Sequence, residues 1–322
     1  MTTETLAAYS LLAVYSAGAV YVMAFIAYVV DLARRSSEAV AAQPVARAAS
    51  VASATSGTTV LAPPAPPAAA DVPAAGRALR VAFALTVLGF VLHVGAIVLR
   101  GVAAGRAPWA NMFEFALTGT AVIVGVYLLV NIWRDVRFVG AYITGLVSLL
   151  LMLAAVNVYV GVVPLPPPLQ SAWLVIHVFV AILGTGFFAL GAGLSIAQLL
   201  QARRETGSTD KPRFLRSFPT SEALENTAYR VNVIGFAFWT FTLIAGAIWA
   251  EHAWGRYWGW DTKEVWTFII WVVFAGYIHA RATRGWRGSR SAWLAIIGFS
   301  AVLFNFTVVN LFFKGLHAYS GL

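Results

Sequence analysis

The segment EHAWGRYWGWDTKEVW, residues 251–266, sets four tryptophans, Trp254, Trp258, Trp260 and Trp266, beside a histidine and a handful of charges. Indole rings offer flat faces and N–H donors, so such a segment is either an aromatic belt at a membrane interface or a platform for a large planar ligand. The residues on either side of it are overwhelmingly apolar.

Of the 322 residues, 60% are hydrophobic and 11% charged, and the mean hydropathy is +0.78. That composition excludes a soluble domain of this length and reads as a polytopic membrane protein. Runs of about twenty apolar residues, the length a helix needs to cross the hydrocarbon core, recur at 7–31, 81–99, 115–133, 138–159, 173–200, 231–250, 265–282 and 292–313. The expected fold is all-α, with about eight transmembrane helices. The first run is long, lacks a basic region before it and is followed by DLARR, so it reads as a helix and not as a cleavable signal.

The formal charge of +9 gains its meaning from where the basic residues fall. Arg34, Arg35, Arg47, Arg77 and Arg80 follow the first run, and Arg134 and Arg137 the third. Arg203, Arg204, Lys211, Arg213, Arg216 and Arg230 follow the fifth, and Arg281, Arg284, Arg287 and Arg290 the seventh. All 17 lie on one side, while Arg100, Arg106, Arg256, Lys263 and Lys314 lie on the other. By the positive-inside rule both termini are expected outside and the tryptophan segment on the outer face. The basic excess is thus topology, and nucleic-acid binding is not expected.

Residues 36–79 are an Ala/Pro/Ser/Thr run with few large apolar side chains, expected to be a disordered inner linker. It separates a first helix, 1–35, from a seven-helix body, 80–322. In the inner loop 201–230, SFPTSEALEN would cap a surface helix with Thr220 or Ser221. GVVPLPPPLQSAW, 161–173, is a rigid uncharged turn that sets where the fifth helix begins.

With no cysteine, disulfides, thiolate metal sites and a cysteine nucleophile are excluded, so any metal chemistry rests on histidine, carboxylate or a bound cofactor. Histidines inside a bilayer are functional candidates by default, with a satisfied packing role as the alternative. His177 falls about one turn below the outer surface and His317 about one turn above it. Two histidines at matching depth beside an aromatic segment have the geometry to clamp a haem iron from both faces. His279 lies about 20 Å deeper, near the inner leaflet. His93, about 9 Å below the outer edge, is as consistent with packing as with function, and His252 with a solvated interfacial residue. Structural zinc wants four ligands, typically thiolates; haem wants two axial nitrogens, an apolar wall and cations for its propionates. Trp254, Trp258 and Trp260 offer the wall, and Arg256 or Lys263 the cation. Trp254 and Trp258 share a face if the segment is helical. Asp261 stands where it would cap the seventh helix, and Glu264 is likewise read as a cap.

At this level of detail WGRYWGWDTKEVW resembles the tryptophan-rich WWD motif of the haem-handling superfamily. The trailing Lys263, Glu264 and Trp266 resemble the CcsA (ResC) branch, also labelled CcsB, of system II cytochrome c maturation. Three further segments are similar to that branch in the same order: SAWLVIHVFVAILGTGFF around His177, FIIWVVFAGYIHAR around His279, and NLFFKGLHAYSGL around His317. GRAPWANMFEF, 105–115, resembles another family segment that is usually written with histidine after the glycine; Arg106 stands there, while Asn111 and Glu114 keep the pattern.

The resemblance implies that His177 and His317 are axial ligands of haem at an outer site. It implies that Trp254, Arg256, Trp258, Trp260, Asp261 and Trp266 belong to the segment that binds the porphyrin, and that His279 is one ligand of an inner haem. It further implies haem b as a substrate in transit, export and presentation of that haem, and thioether formation with the CXXCH thiols of apocytochrome c. A ResB/Ccs1-type membrane protein, a thiol-reducing pathway and a multi-pass place in the plasma membrane come with it. The readings that compete are a system I-type haem-delivery or ligation component, a cytochrome b-like electron-transfer subunit, and a haem-free transporter.

Overall fold

The computed structural model describes residues 2–55, 76–207, 213–283, 285–313 and 315–317, with the side chains of 38–55 and Pro168 outside that description. Every regular element among them is helical. The principal helices are α1 (Thr3–Thr55), α2 (Arg77–Ala104), α3 (Met112–Trp133), α4 (Gly140–Asn157), α5 (Ala172–Glu205), α6 (Ser221–Trp254), α7 (Thr262–Ala282) and α8 (Ser289–Phe304). All eight contain a stretch long and apolar enough to cross a membrane, as the eight hydrophobic runs require. The chain is therefore a multi-pass membrane protein.

The helices group around α5, which packs against α6, α3 and α8, while α1 packs on α2 and α4. A continuous core of Leu, Val, Ile and Phe runs between them, with Phe188 and Phe274 stacked at its centre, 3.5 Å between centroids. Several of the charged groups buried in this apolar frame are paired. Glu225 of α6 meets Arg281 of α7 at 2.7 Å. Glu114, fully buried at the start of α3, meets Arg100 at 2.9 Å and Arg106 at 2.8 Å.

Two local expectations change. The linker expected to be disordered over 36–79 is helical as far as Thr55, because an alanine-rich continuation of a formed helix needs no new nucleus and alanine is the best helix former; residues 56–75 lie outside the described residues. Thr220 does cap a helix, accepting from Ala223 N at 3.3 Å, but the helix is the membrane-spanning α6 itself and not a separate surface element. After its sixteen residues α8 passes into a π-helical turn, Asn305–Val309, and one last turn, Asn310–Phe312.

Candidate functional site

α6 ends at Trp254 because Gly255 takes the left-handed conformation, φ 69°, and caps the helix through its own N–H to Glu251 O. Trp254 and Trp258 therefore do not share a helical face. Residues 255–260 form a loop instead, and Glu264 ties it down: its Oε2 accepts from Gly259 N at 2.8 Å and from Asp261 N at 3.0 Å. Asp261 is the N-cap of α7, with Glu264 completing a capping box. Trp260 is held at φ 60°, an unusual conformation for a residue with a Cβ, and is 71% exposed.

Beneath the loop, three residues on one face of α6 receive His177 of α5. Thr242 O lies 3.0 Å from the His177 Nδ1. Gly246 leaves room for the ring, since a Cβ there would stand 2.7 Å from His177 Cε1. Trp249 lies nearly parallel to it, 5.8 Å between centroids. Positions 242, 246 and 249 are spaced as successive turns of one helical stripe.

His317 arrives from the other end of the chain. Its Nδ1 donates to Asp261 Oδ2 at 2.8 Å, and Leu316 N donates to Asp261 Oδ1 at 3.1 Å. The side chains of His317 and Asp261 are 17% and 10% exposed. The His317 hydrogen bond holds the Asp261 carboxyl below the ordinary carboxylate range. Trp254 and Trp249 both stand edge-on to the His317 ring, at 4.7 and 5.5 Å.

The two histidines line the same chamber, together with Trp258, Tyr257, Lys263 and Glu264. A second chamber, walled by Trp109, Asn111, Phe115 and Trp249, opens onto the same two histidines and Lys263. A third, mostly apolar, continues below His177 and Lys263 between α3, α5, α6, α7 and α8. With Nδ1 of each ring committed to a carbonyl or a carboxylate, the lone pair falls on Nε2, the arrangement of a metal-ligating imidazole. One Glu264 oxygen, Oε1, is buried without a hydrogen bond in the chamber wall. The donor set therefore fits a bis-histidine haem with an aromatic surround.

The remaining expected residues separate. Lys263, not Arg256, is the cation of the chambers: its ammonium donates to Asn310 Oδ1, whereas the Arg256 guanidinium lies over Gly259, 4.0 Å from Glu264. Trp266 packs on Phe304 of α8 at 4.4 Å and is half-buried. Asp261 grips His317 and does not itself line the two histidine chambers. His279 is exposed in the last turn of α7, about 27 Å along the helix from Asp261. His93 is buried and edge-on to Tyr21 at 5.8 Å, a packing environment. His252 is half exposed beside Glu251.

Trp249 and Trp109 went unread in the sequence as chamber residues. Trp249 lies within an apolar helical run, and only its place three residues after Gly246, on the α6 stripe that receives His177 of α5, marks it. Trp109 belongs to the segment that holds Arg106. That arginine reaches Glu114 and donates to Val163 O at 3.3 Å, joining the 105–111 loop to the 160–163 turn.

The profile of the cytochrome C assembly protein family matches residues 109–317, which contain both histidines and the whole loop. The cytochrome c biogenesis protein CcsA of Trieres chinensis is 32% identical, the match covering 69% of this chain and 81% of its own. The CcsA of Prochlorococcus marinus is 35% identical, over 69% of this chain and 78% of its own. A solved structure of the cytochrome c haem lyase CcmF superposes with a TM-score of 0.63 at 17% identity, a likeness of fold that covers 95% of this chain and 47% of the other. This chain thus spans about half the length of that structure. By profile and by identity to these relatives, the chain belongs to the cytochrome c assembly family, as a CcsA-type cytochrome c biogenesis protein.

Proposed function

We propose that the protein presents haem b, as a substrate in transit, on the outer side of the plasma membrane and takes part in its covalent attachment to apocytochrome c. It does so as one half of a system II synthase with a ResB/Ccs1-type membrane partner. The observation that carries this is the pair His177 and His317 on one chamber, each with Nδ1 engaged so that Nε2 is left to ligate iron. The one-sided distribution of arginines supports an outer chamber and outer termini. His279, exposed at the far end of α7, is proposed as one ligand of an inner haem whose other ligand the partner supplies.

Attachment adds a substrate S–H across each vinyl group. Sulfur bonds the carbon next to the ring, the proton goes to the terminal carbon, and nothing is oxidised or reduced. Both thiols come from CXXCH and must arrive reduced, hence the need for a thiol-reducing pathway. The chain's own contribution is orientation: two axial bonds and an aromatic wall fix the porphyrin while the peptide approaches, which is where an intramolecular rate advantage arises.

Lys263 is placed to meet a propionate. A charge-assisted hydrogen bond is worth about 1.5–3 kcal/mol, so Lys263→Met is expected to weaken haem retention about 10- to 100-fold, with Lys263→Arg less affected and Arg256→Met nearly unaffected. Haem-to-protein ratios after detergent washing measure this; equal losses in Lys263→Met and Arg256→Met would remove Lys263 from the site. The function itself is tested by producing the chain with its partner and a CXXCH substrate in cells without their own maturation system. Covalent haem on the substrate, absent with AXXAH, is expected; none with either substrate would refute the synthase reading.

A further inference from the structure

The two chambers that meet at His177 and His317 differ in the hydrogen-bonding groups they leave open. The one walled by Trp109 and Trp249 contains Asn111, buried at the N-terminus of α3. Its Oδ1 caps the helix by accepting from Glu114 N at 2.9 Å, but its Nδ2 is a buried donor with no hydrogen bond. Lys263 lines both chambers, and its ammonium donates to Asn310, which lines the Asn111 chamber and not the other. Behind Asn111, two guanidiniums, Arg100 and Arg106, share the one carboxylate of Glu114, which leaves that wall positive. The chamber under Tyr257 and Trp258 has the opposite character. Its open group is Glu264 Oε1, a buried acceptor without a donor. The Arg256 guanidinium lies 4.0 Å from the other Glu264 oxygen and does not line the chamber.

We infer that Asn111, with Lys263, is the seat of a haem propionate, and that Glu264 bars carboxylates from the facing chamber, so that the ring is held in one orientation. The inference rests on the haem reading above and adds to it the residue that recognises the carboxylate. A buried donor left unpaired costs free energy, and a propionate oxygen at Asn111 Nδ2 removes that cost. The ammonium supplies a second, charge-assisted donor. Beside Glu264 the same propionate would meet a like charge away from bulk water, where repulsion is strongest. Propionates and vinyls occupy opposite sides of the porphyrin. Seating the former at Asn111 therefore turns the latter toward Tyr257 and Trp258, beneath the tryptophan loop. The two duties of Asn111 fall on different atoms, the cap on its oxygen and the ligand on its nitrogen. Substitution separates them, since aspartate and serine are both good N-caps and neither carries the amide donor.

The test takes the complex with its partner, produced under haem limitation and loaded in detergent with haem or with haem dimethyl ester, whose propionates are neutral. Wild type is expected to hold haem at least about tenfold more tightly than the ester, because hydrogen bonds to a charged group are the stronger ones. Asn111→Asp should lose about 10- to 100-fold in affinity for haem and much less for the ester, the scale of a hydrogen bond to a charged group. Asn111→Ser should shift the ratio in the same direction. Equal affinities of wild type for haem and ester would overturn the inference. So would variants that lose both alike, since Asn111 would then be only the cap of α3. The orientation is read separately. The chain has no cysteine, so a single introduced thiol reports which side of the ring faces it, by adding its S–H across a vinyl group. Ala247→Cys, in the Tyr257 chamber, is expected to keep haem bound through a denaturing gel, and Ala110→Cys, in the Asn111 chamber, to lose it. Covalent haem with Ala110→Cys, or with neither, would overturn the orientation. A wild-type complex that takes up no haem removes the haem reading and this inference with it, and shows before any variant is made.

Discussion

If the proposed haem site is right, Gly246→Val is expected to strip haem from the chamber that His177 and His317 line, while Gly95→Val leaves it filled. At position 246 a Cβ stands 2.7 Å from Cε1 and 2.9 Å from Nδ1 of His177, too close for any side chain. The ring has no room to yield without losing either its bond to Thr242 O or its stack on Trp249, because all three contacts lie on one stripe of α6. On the proposed bis-histidine reading, valine therefore leaves one ligand where there were two. The cost is at least about 100-fold in retention, the upper end of what second-shell disturbance does to a metal site. Gly95, on α2, has open space where a Cβ would go. Haem-to-protein ratios of the two variants, purified with the partner, give the comparison. Added imidazole should restore His177→Gly better than Gly246→Val, whose side chain fills the space. Equal haem in both glycine variants would mean that His177 does not need the position it occupies.

Glu114→Gln should produce the largest loss of stability. Its carboxylate is fully buried and faces two guanidiniums, Arg100 at 2.9 Å and Arg106 at 2.8 Å, besides accepting from Ala110 N at 2.9 Å. Removing one partner of a buried ionic group costs about 3–5 kcal/mol, because the charge left behind has neither water nor a counter-ion. Arg100 is the residue left worst off, since its side chain is 1% exposed, whereas Arg106 at 13% can turn outward. Adding Arg100→Met to Glu114→Met should then recover much of the loss, as replacement of whole buried pairs by apolar groups often does. Thermal unfolding in detergent reads both results. A change under about 1 kcal/mol in Glu114→Gln would show that the cluster is already hydrated.

This cluster also shows where sequence reading reached its limit. The eight membrane helices were legible because hydrocarbon imposes a length and a composition that few other constraints imitate. That His177 and His317 meet at one chamber was legible because helix rise converts residue number into depth. Which residues turn toward the chamber was not, since that depends on where a helix stops. Gly255 ends α6 and throws Trp258 and Trp260 into a loop, so one points into the chamber and the other outward. Asp261 read as a helix cap and is one, yet its grip on His317 spans 56 positions in sequence, a distance no local pattern records. Arg106 read as a departure from its family segment, and only the fold brings it together with Arg100 on one carboxylate.

The central claim is that His177 and His317 hold one haem between them. Absorption spectra and haem content of the purified complex, for wild type, His177→Ala, His317→Ala and His279→Ala, test it most directly. The account predicts bis-histidine haem in the wild type, its loss in each outer variant with recovery on adding imidazole, and an outer-site signal that survives in His279→Ala. A wild type without haem, or outer variants with unchanged spectra, would make the pair a packing feature and contradict the claim.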